Sequence, residues 1–203
     1  MMKRRKSSNR DIVLRVAAER FLKAGYHSTS MDDIVAISKV SKTNIYYHFA
    51  SKEAILLEIV DDAVAYYDAR SALIITQQHV DVITRIEFLL RLIAYDPYQQ
   101  DCRVGGTFLT LFAQTSREVP AVRERIDQFF RRNQQLLEQL LQEGVKNGQL
   151  PTSLPIPQTA ALVLSIFEGG LFLSEVYQDG DLLQHVFQSL EWLMRAQPPL
   201  RTT

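Results

Sequence analysis

Cysteine is almost absent: Cys102 is the one in 203 residues, so no intrachain disulfide can form and a reducing compartment suits the chain. The four histidines, His27, His48, His79 and His185, are scattered, without the Glu-x-x-His or Cys/His spacing that binds a metal. No glycine-rich phosphate loop follows a strand, because no stretch alternates as a strand does. Nothing pairs a nucleophile with a base, so an enzyme is disfavoured and no cofactor is expected. The start, MMKRRKSSNR, is charged and lacks the apolar run that a signal peptide requires. The longest strongly apolar run, Ala160 to Phe167, stops at Glu168 and is too short to span a bilayer. A cytoplasmic protein with no membrane partner is the expectation.

Net charge is absent too, but the zero total hides a division. Residues 1–52 hold 11 Lys or Arg against 4 Asp or Glu, and residues 53–203 hold 12 against 19. A basic head and an acidic body point to a polyanion at one end, where positive charge releases condensed counterions from phosphate. Hydrophobic residues make up 46% of the chain, enough for a sizeable core.

Apolar spacing of three to four residues divides the chain into helices. Val13, Ala17, Phe21 and Ala24 mark a first helix, Asn9 to Ala24, ended by Gly25. Thr29 and Ser30, followed by Asp32 and Asp33, start a second helix from Met31 to Ile37. After a break at Ser38 to Ser41, Ser41 caps a third, Lys42 to Phe49. Two short helices joined by a tight turn behind a longer one form a helix-turn-helix head. Further helices are expected from Ser51 to Ile75, Asp81 to Tyr95, Thr107 to Thr115, Pro120 to Asn147, Pro157 to Tyr177 and Asp181 to Arg195. The fold is read as all-α with about nine helices, a basic helix-turn-helix head over residues 1–52, and a helical body over residues 53–203. Met1 to Asn9 reads as a basic arm, either a solvated tail or a groove contact.

The third helix organises the head. Ile45 and Phe49 lie four apart and anchor one face, while Thr43 and Tyr47 point away from it. Lys42, Asn44, Tyr46 and His48 lie between, all donors and none a carboxylate. Such a face suits a polyanion.

The ordered set Phe21, Gly25-Tyr26, Thr29, Asp33-Ile34, Val40-Ser41, Ile45-Tyr46-Tyr47-His48-Phe49 and Ser51-Lys52-Glu53 resembles the TetR (tetracycline repressor) family of bacterial transcriptional regulators. The resemblance covers residues 10 to 57; the body matches in helix number and length. It implies phosphate clamps at Thr29, Tyr46, Tyr47, His48 and Lys52, and groove readers at Lys42, Thr43 and Asn44. Chemistry agrees with those roles, since Asn suits adenine, Lys guanine and the Thr methyl a thymine methyl. Tyr46 has a second reading, partial burial against the first helix, and His48 plain solvation.

One departure stands in the turn. The family usually has Ala-Gly where this chain has Ser38-Lys39, and glycine there implies a left-handed backbone that costs other residues about 1 kcal/mol. Either the turn differs locally, or Lys39 keeps that conformation and adds positive charge near phosphate.

One head reads too few base pairs for useful specificity, so a homodimer on a pseudo-palindromic duplex is expected. Leu162, Ile166, Gly169, Gly170 and Leu173, with Leu183, Val186, Leu190 and Leu193, offer apolar faces for a four-helix interface or for an ordinary intrachain core. Phe88, Phe108, Phe112, Phe129 and Phe130 are available to line a cavity for a small apolar or aromatic effector, though such a stripe also makes plain core. Glu168 is a polar anchor there, or pairs with an Arg or faces solvent. Cys102, between Asp101 and Arg103, allows an alternative reading as a redox or electrophile sensor beside that of an inert side chain. A helical adaptor using its basic head on lipids is the third class.

Overall fold

A computed structural model describes residues 8–94 and 104–195. The expected arm, apart from its last two residues, and Cys102 lie outside the described residues. Nine helices and no strand occur among the described residues: α1 (Asn9–Ala24), α2 (Met31–Ser38), α3 (Lys42–His48), α4 (Lys52–Ile75), α5 (Val82–Ala94), α6 (Val104–Thr115), α7 (Pro120–Lys146), α8 (Ile156–Val176) and α9 (Leu182–Arg195). The all-α reading holds. Gly105 and Gly106 lie inside α6, which starts three residues earlier than the expected Thr107.

Local chemistry sets the helix ends of the head. Ser8 and Asp11 form a capping box on α1, and Ser30 and Asp33 form one on α2, so each start has its free N–H groups satisfied reciprocally. Ser41 Oγ accepts the N–H of Asn44 to cap α3, and Ser51 Oγ accepts that of Ala54 at the start of α4. Gly25 ends α1 at φ 92°. Lys39 ends α2 at φ 60°, ψ 15°, its N–H donating to the Val35 carbonyl, so it takes the left-handed cap that glycine usually fills. The turn therefore keeps its expected geometry despite carrying a Cβ.

Two compact units result, with the division falling inside α4, α6 and α7. The first comprises residues up to Ala65 with Thr107–Asp127. In it α1 packs on α2 and α3, burying Val13, Ala17, Phe21, Ile34, Ile45 and Phe49. Arg125 bonds Asp61 at 2.6 Å, and Arg10 pairs with Glu58.

The second unit comprises Tyr66–Gly106 and Gln128–Thr203. Here α9 packs on α5 and α8, and Phe167 stacks on Phe187 at 6.1 Å. Arg85, fully buried, donates to the Ile75 carbonyl at 2.8 Å and pairs with Glu143. A Cβ added to Gly170 would fall 3.0 Å from Val186 Cγ2, so glycine lets α8 and α9 approach closely.

Part of the proposed interface is corrected by this packing. Leu183 and Leu190 are buried within the chain and Gly170 faces Val186, because α9 needs a core of its own on α5 and α8. Ile166 and Val186 are half-buried, whereas Leu162, Gly169, Leu173 and Leu193 remain exposed. Phe172, Val176, Tyr177 and Trp192, absent from the sequence reading, are exposed as well. The membrane reading also changes. Among the described residues α8 is long and apolar enough to cross a membrane by length and composition, because the helix continues past Glu168.

Candidate nucleic-acid interface

Burial of two side chains orients α3. Ile45 is 0% exposed and Phe49, its C-terminal cap residue, 2%, and the Arg10 guanidinium lies 6.0 Å over the Phe49 ring. With that side fixed, Lys42, Thr43, Tyr46, Tyr47 and His48 are exposed, Tyr47 at 81%. The Tyr47 and His48 rings meet edge to face at 5.0 Å, which holds both hydrogen-bonding tips on the surface. Tyr46 is 45% exposed, so its ring is partly covered and partly free on the surface.

Asn44 is placed differently from a free reader. It is half-buried, and its Oδ1 is enclosed without a hydrogen-bond partner. Bidentate pairing with adenine requires both ends of the amide, and here one end is turned inward.

Two expected clamps have partners within the chain. Thr29 is 0% exposed and its hydroxyl donates to the Gly25 carbonyl at 2.9 Å, so it closes the α1–α2 loop from inside. Lys52 donates to the carbonyls of Tyr26 and Thr29, each at 2.9 Å, and its ammonium lies 4.2 Å over the Tyr26 ring. Burial holds its pKa below the usual lysine range. The physical reason is shared: the loop turns part-buried carbonyls inward, and they need donors. From sequence, neither partner was visible.

The same loop has a third tie. Gln114, in the last turn of α6, accepts the Tyr26 N–H on Oε1 at 2.9 Å, and its own carbonyl lies 2.8 Å from His27 Nε2. His27 Nδ1 lies 3.4 Å from Glu118. Tyr26 itself is buried, and its phenol pKa is raised, by burial first and then by Glu53 and Glu118.

Two cations stand at the turn. Lys39 is exposed. Lys42 is also exposed, but its ammonium bonds Asp32 at 2.8 Å, which raises its pKa through that hydrogen bond and the charge.

Residues 13–59 match the family profile described as "Bacterial regulatory proteins, tetR family", and residues 86–190, more than half of the chain, match "Tetracyclin repressor-like, C-terminal domain". The chain belongs to the TetR family. It is a DNA-binding transcriptional regulator of that family and not an enzyme.

Relatives within the family agree most strongly over the head. The regulator QacR of Staphylococcus aureus is 48% identical over 52 residues, 26% of this chain and 28% of that protein. The match thus spans less than a third of that relative's length. An uncharacterized HTH-type regulator from the lacX 3' region of Lactococcus lactis is 24% identical over 91% of this chain and 92% of its own. The crystal structure of a TetR-family regulator from Cytophaga hutchinsonii shares the fold, with a TM-score of 0.77 at 17% identity over 95% of this chain and 96% of that one.

The residues expected around an effector are less uniform. Phe108 and Phe129 are 1% and 0% exposed, and Phe129 packs edge-on against Tyr67 and Phe130 at 5.6 and 5.4 Å, as core aromatics do. Phe112 and Phe130 are half-buried. Phe88 is corrected: at 39% exposure it lies on the surface of α5, whose buried face is Ile83, Ile86, Leu89, Leu90 and Ile93. Glu168 has Oε1 enclosed without a partner, and burial pushes its carboxyl up to about 7, so neither pairing with an Arg nor open solvation describes it.

Proposed function

We propose that this TetR-family chain is a ligand-responsive repressor that binds a pseudo-palindromic DNA operator as a homodimer and is released by a small apolar or aromatic effector. The observation that carries the reading is the exposed face of α3, where Lys42, Thr43, Tyr46, Tyr47 and His48 offer donors and contain no carboxylate. In this reading residues 1–52 bind DNA, Tyr46, Tyr47 and His48 with Lys39 hold phosphate, and Lys42, Thr43 and one end of Asn44 meet base edges. Residues 53–203 supply the effector and dimer functions in the cytoplasm.

A second copy is the proposed cover for the exposed apolar face of α8 and α9. Leu162, Phe172, Leu173, Trp192 and Leu193 lie bare on a single chain, more apolar surface than scattered exposure accounts for. Lipid suits that face less well, since Glu168 falls mid-helix and a carboxylate at a bilayer centre costs about 3 kcal/mol or more. The effector is proposed to lie among the helices around Phe129 and Phe130, with Glu168 as its polar anchor. Its binding favours a head separation that no longer fits half-sites roughly one turn of DNA, 34 to 36 Å, apart.

The test joins two measurements on the full chain. Sedimentation gives a dimer that Phe172→Asp converts to monomer, and selection from a randomised pool enriches a duplex with two-fold symmetry. A monomeric wild type, or enrichment of no symmetric site, would overturn the reading.

A further inference from the structure

We infer that Asp32 is a specificity-determining residue: it holds Lys42 out of phosphate contact and leaves the remaining donors of the ammonium to a base edge. This rests on the DNA-reading role proposed for α3.

The two acidic residues that open α2 have different employment. Asp33 is consumed by the capping box, its carboxylate accepting the Ser30 N–H at 2.8 Å and the Ser30 hydroxyl at 2.6 Å. That helix start is complete without Asp32. Asp32 instead reaches ten residues along the chain, across the turn, to Lys42 Nζ at 2.8 Å, within the usual range for a charge-assisted hydrogen bond. Both side chains are exposed, at 77% and 58%, so neither is driven together by burial. A carboxylate is thus placed at the N-terminal turn of the helix whose exposed side is otherwise all donors.

The consequence for DNA follows from charge counting. Non-specific affinity grows with the number of phosphates neutralised. If Lys42 leaves Asp32 for a phosphate, it exchanges one anion for another and strands a bare carboxylate beside the polyanion. The exchange gains nothing, so the pair stays closed on random sequence. A guanine edge needs no such exchange, because its neutral acceptors O6 and N7 take the two remaining N–H groups of the ammonium while the third stays on Asp32. Asp32 therefore weakens binding everywhere except where Lys42 finds its base.

The experiment compares Asp32→Asn with wild type on a random-sequence duplex and on a duplex that the wild type enriches from a randomised pool. The variant's affinity for the random duplex should rise about five- to tenfold at low salt, and its salt slope should steepen by about 0.9 for each head that gains a phosphate contact. The preference for the enriched duplex should fall at least threefold. Adding Lys42→Met should abolish the steeper slope. Equal melting temperatures for wild type and Asp32→Asn would separate this effect from a helix-start role, and Asp32→Ser provides the second variant. Unchanged slope and unchanged preference in both variants would overturn the inference. Enrichment of no duplex by the wild type would instead remove the operator reading on which it rests.

Discussion

Gln114 satisfies Tyr26 across 88 positions of sequence: its side-chain oxygen takes the Tyr26 backbone N–H at 2.9 Å, while its own carbonyl faces the ring of His27. The α1–α2 loop is thus fastened to the last turn of α6. Gln114→Ala would leave a part-buried N–H unpaired, a loss of about 1–3 kcal/mol. Urea unfolding gives the magnitude, and faster hydrogen exchange at Tyr26 localises it; unchanged exchange there would contradict the assignment.

Lys39→Gly separates backbone strain from charge. The left-handed cap at φ 60° costs a residue with a Cβ, so the glycine variant should gain roughly 0.5–1 kcal/mol in stability. Its affinity for duplex DNA should nevertheless fall, because one exposed cation is lost. A variant that melts lower than wild type would show that Lys39 has other partners.

Glu168 makes stability depend on pH. Its carboxyl titrates near 7 in the folded chain against 4.5 in the unfolded chain, so the folded state binds the extra proton between those values. Stability is highest at the acid end of that window and falls as pH rises through 7. Relative to wild type, Glu168→Gln should be near neutral at pH 5 and more stable by roughly 1–3 kcal/mol at pH 8. Denaturation at the two pH values checks this, and a pH-independent difference would refute it.

Arg85 is the most costly charge to lose. Arg85→Met removes a fully buried guanidinium and leaves Glu143 and the Ile75 carbonyl without it, with an expected loss of about 3–5 kcal/mol. Adding Glu143→Leu should recover a large part of that loss. Failure of the second substitution to recover anything would mean that Arg85 acts mainly through the Ile75 carbonyl.

Helix ends were legible from sequence because caps are local. Ser41, Ser51, Ser30 with Asp33, and Gly25 each act within three or four residues, and the buried pair Ile45 and Phe49 follows from one helical turn. The partners of long side chains were not legible. Lys52 serves carbonyls 26 and 23 residues away, and Lys42 an acid ten residues away, choices made by packing that periodicity does not encode. Gly169 and Gly170 were placed on one apolar face without a partner for it; Gly170 meets Val186 of the same chain, while Gly169 beside it meets nothing within 4 Å. The exposed Phe172 was missed because α8, apolar on several sides, gives no preferred face to read, and Trp192 because it lies opposite the buried Leu183, Phe187 and Leu190 face of α9.

Lys52 opens α4, and its ammonium is gripped by the loop that precedes α2. The first turn of α4 and that loop therefore turn as one piece, like a key and its bow. In the proposed response to an effector, rotation of α4 carries α3 with it, so the recognition surface keeps its shape while its bearing on the groove changes.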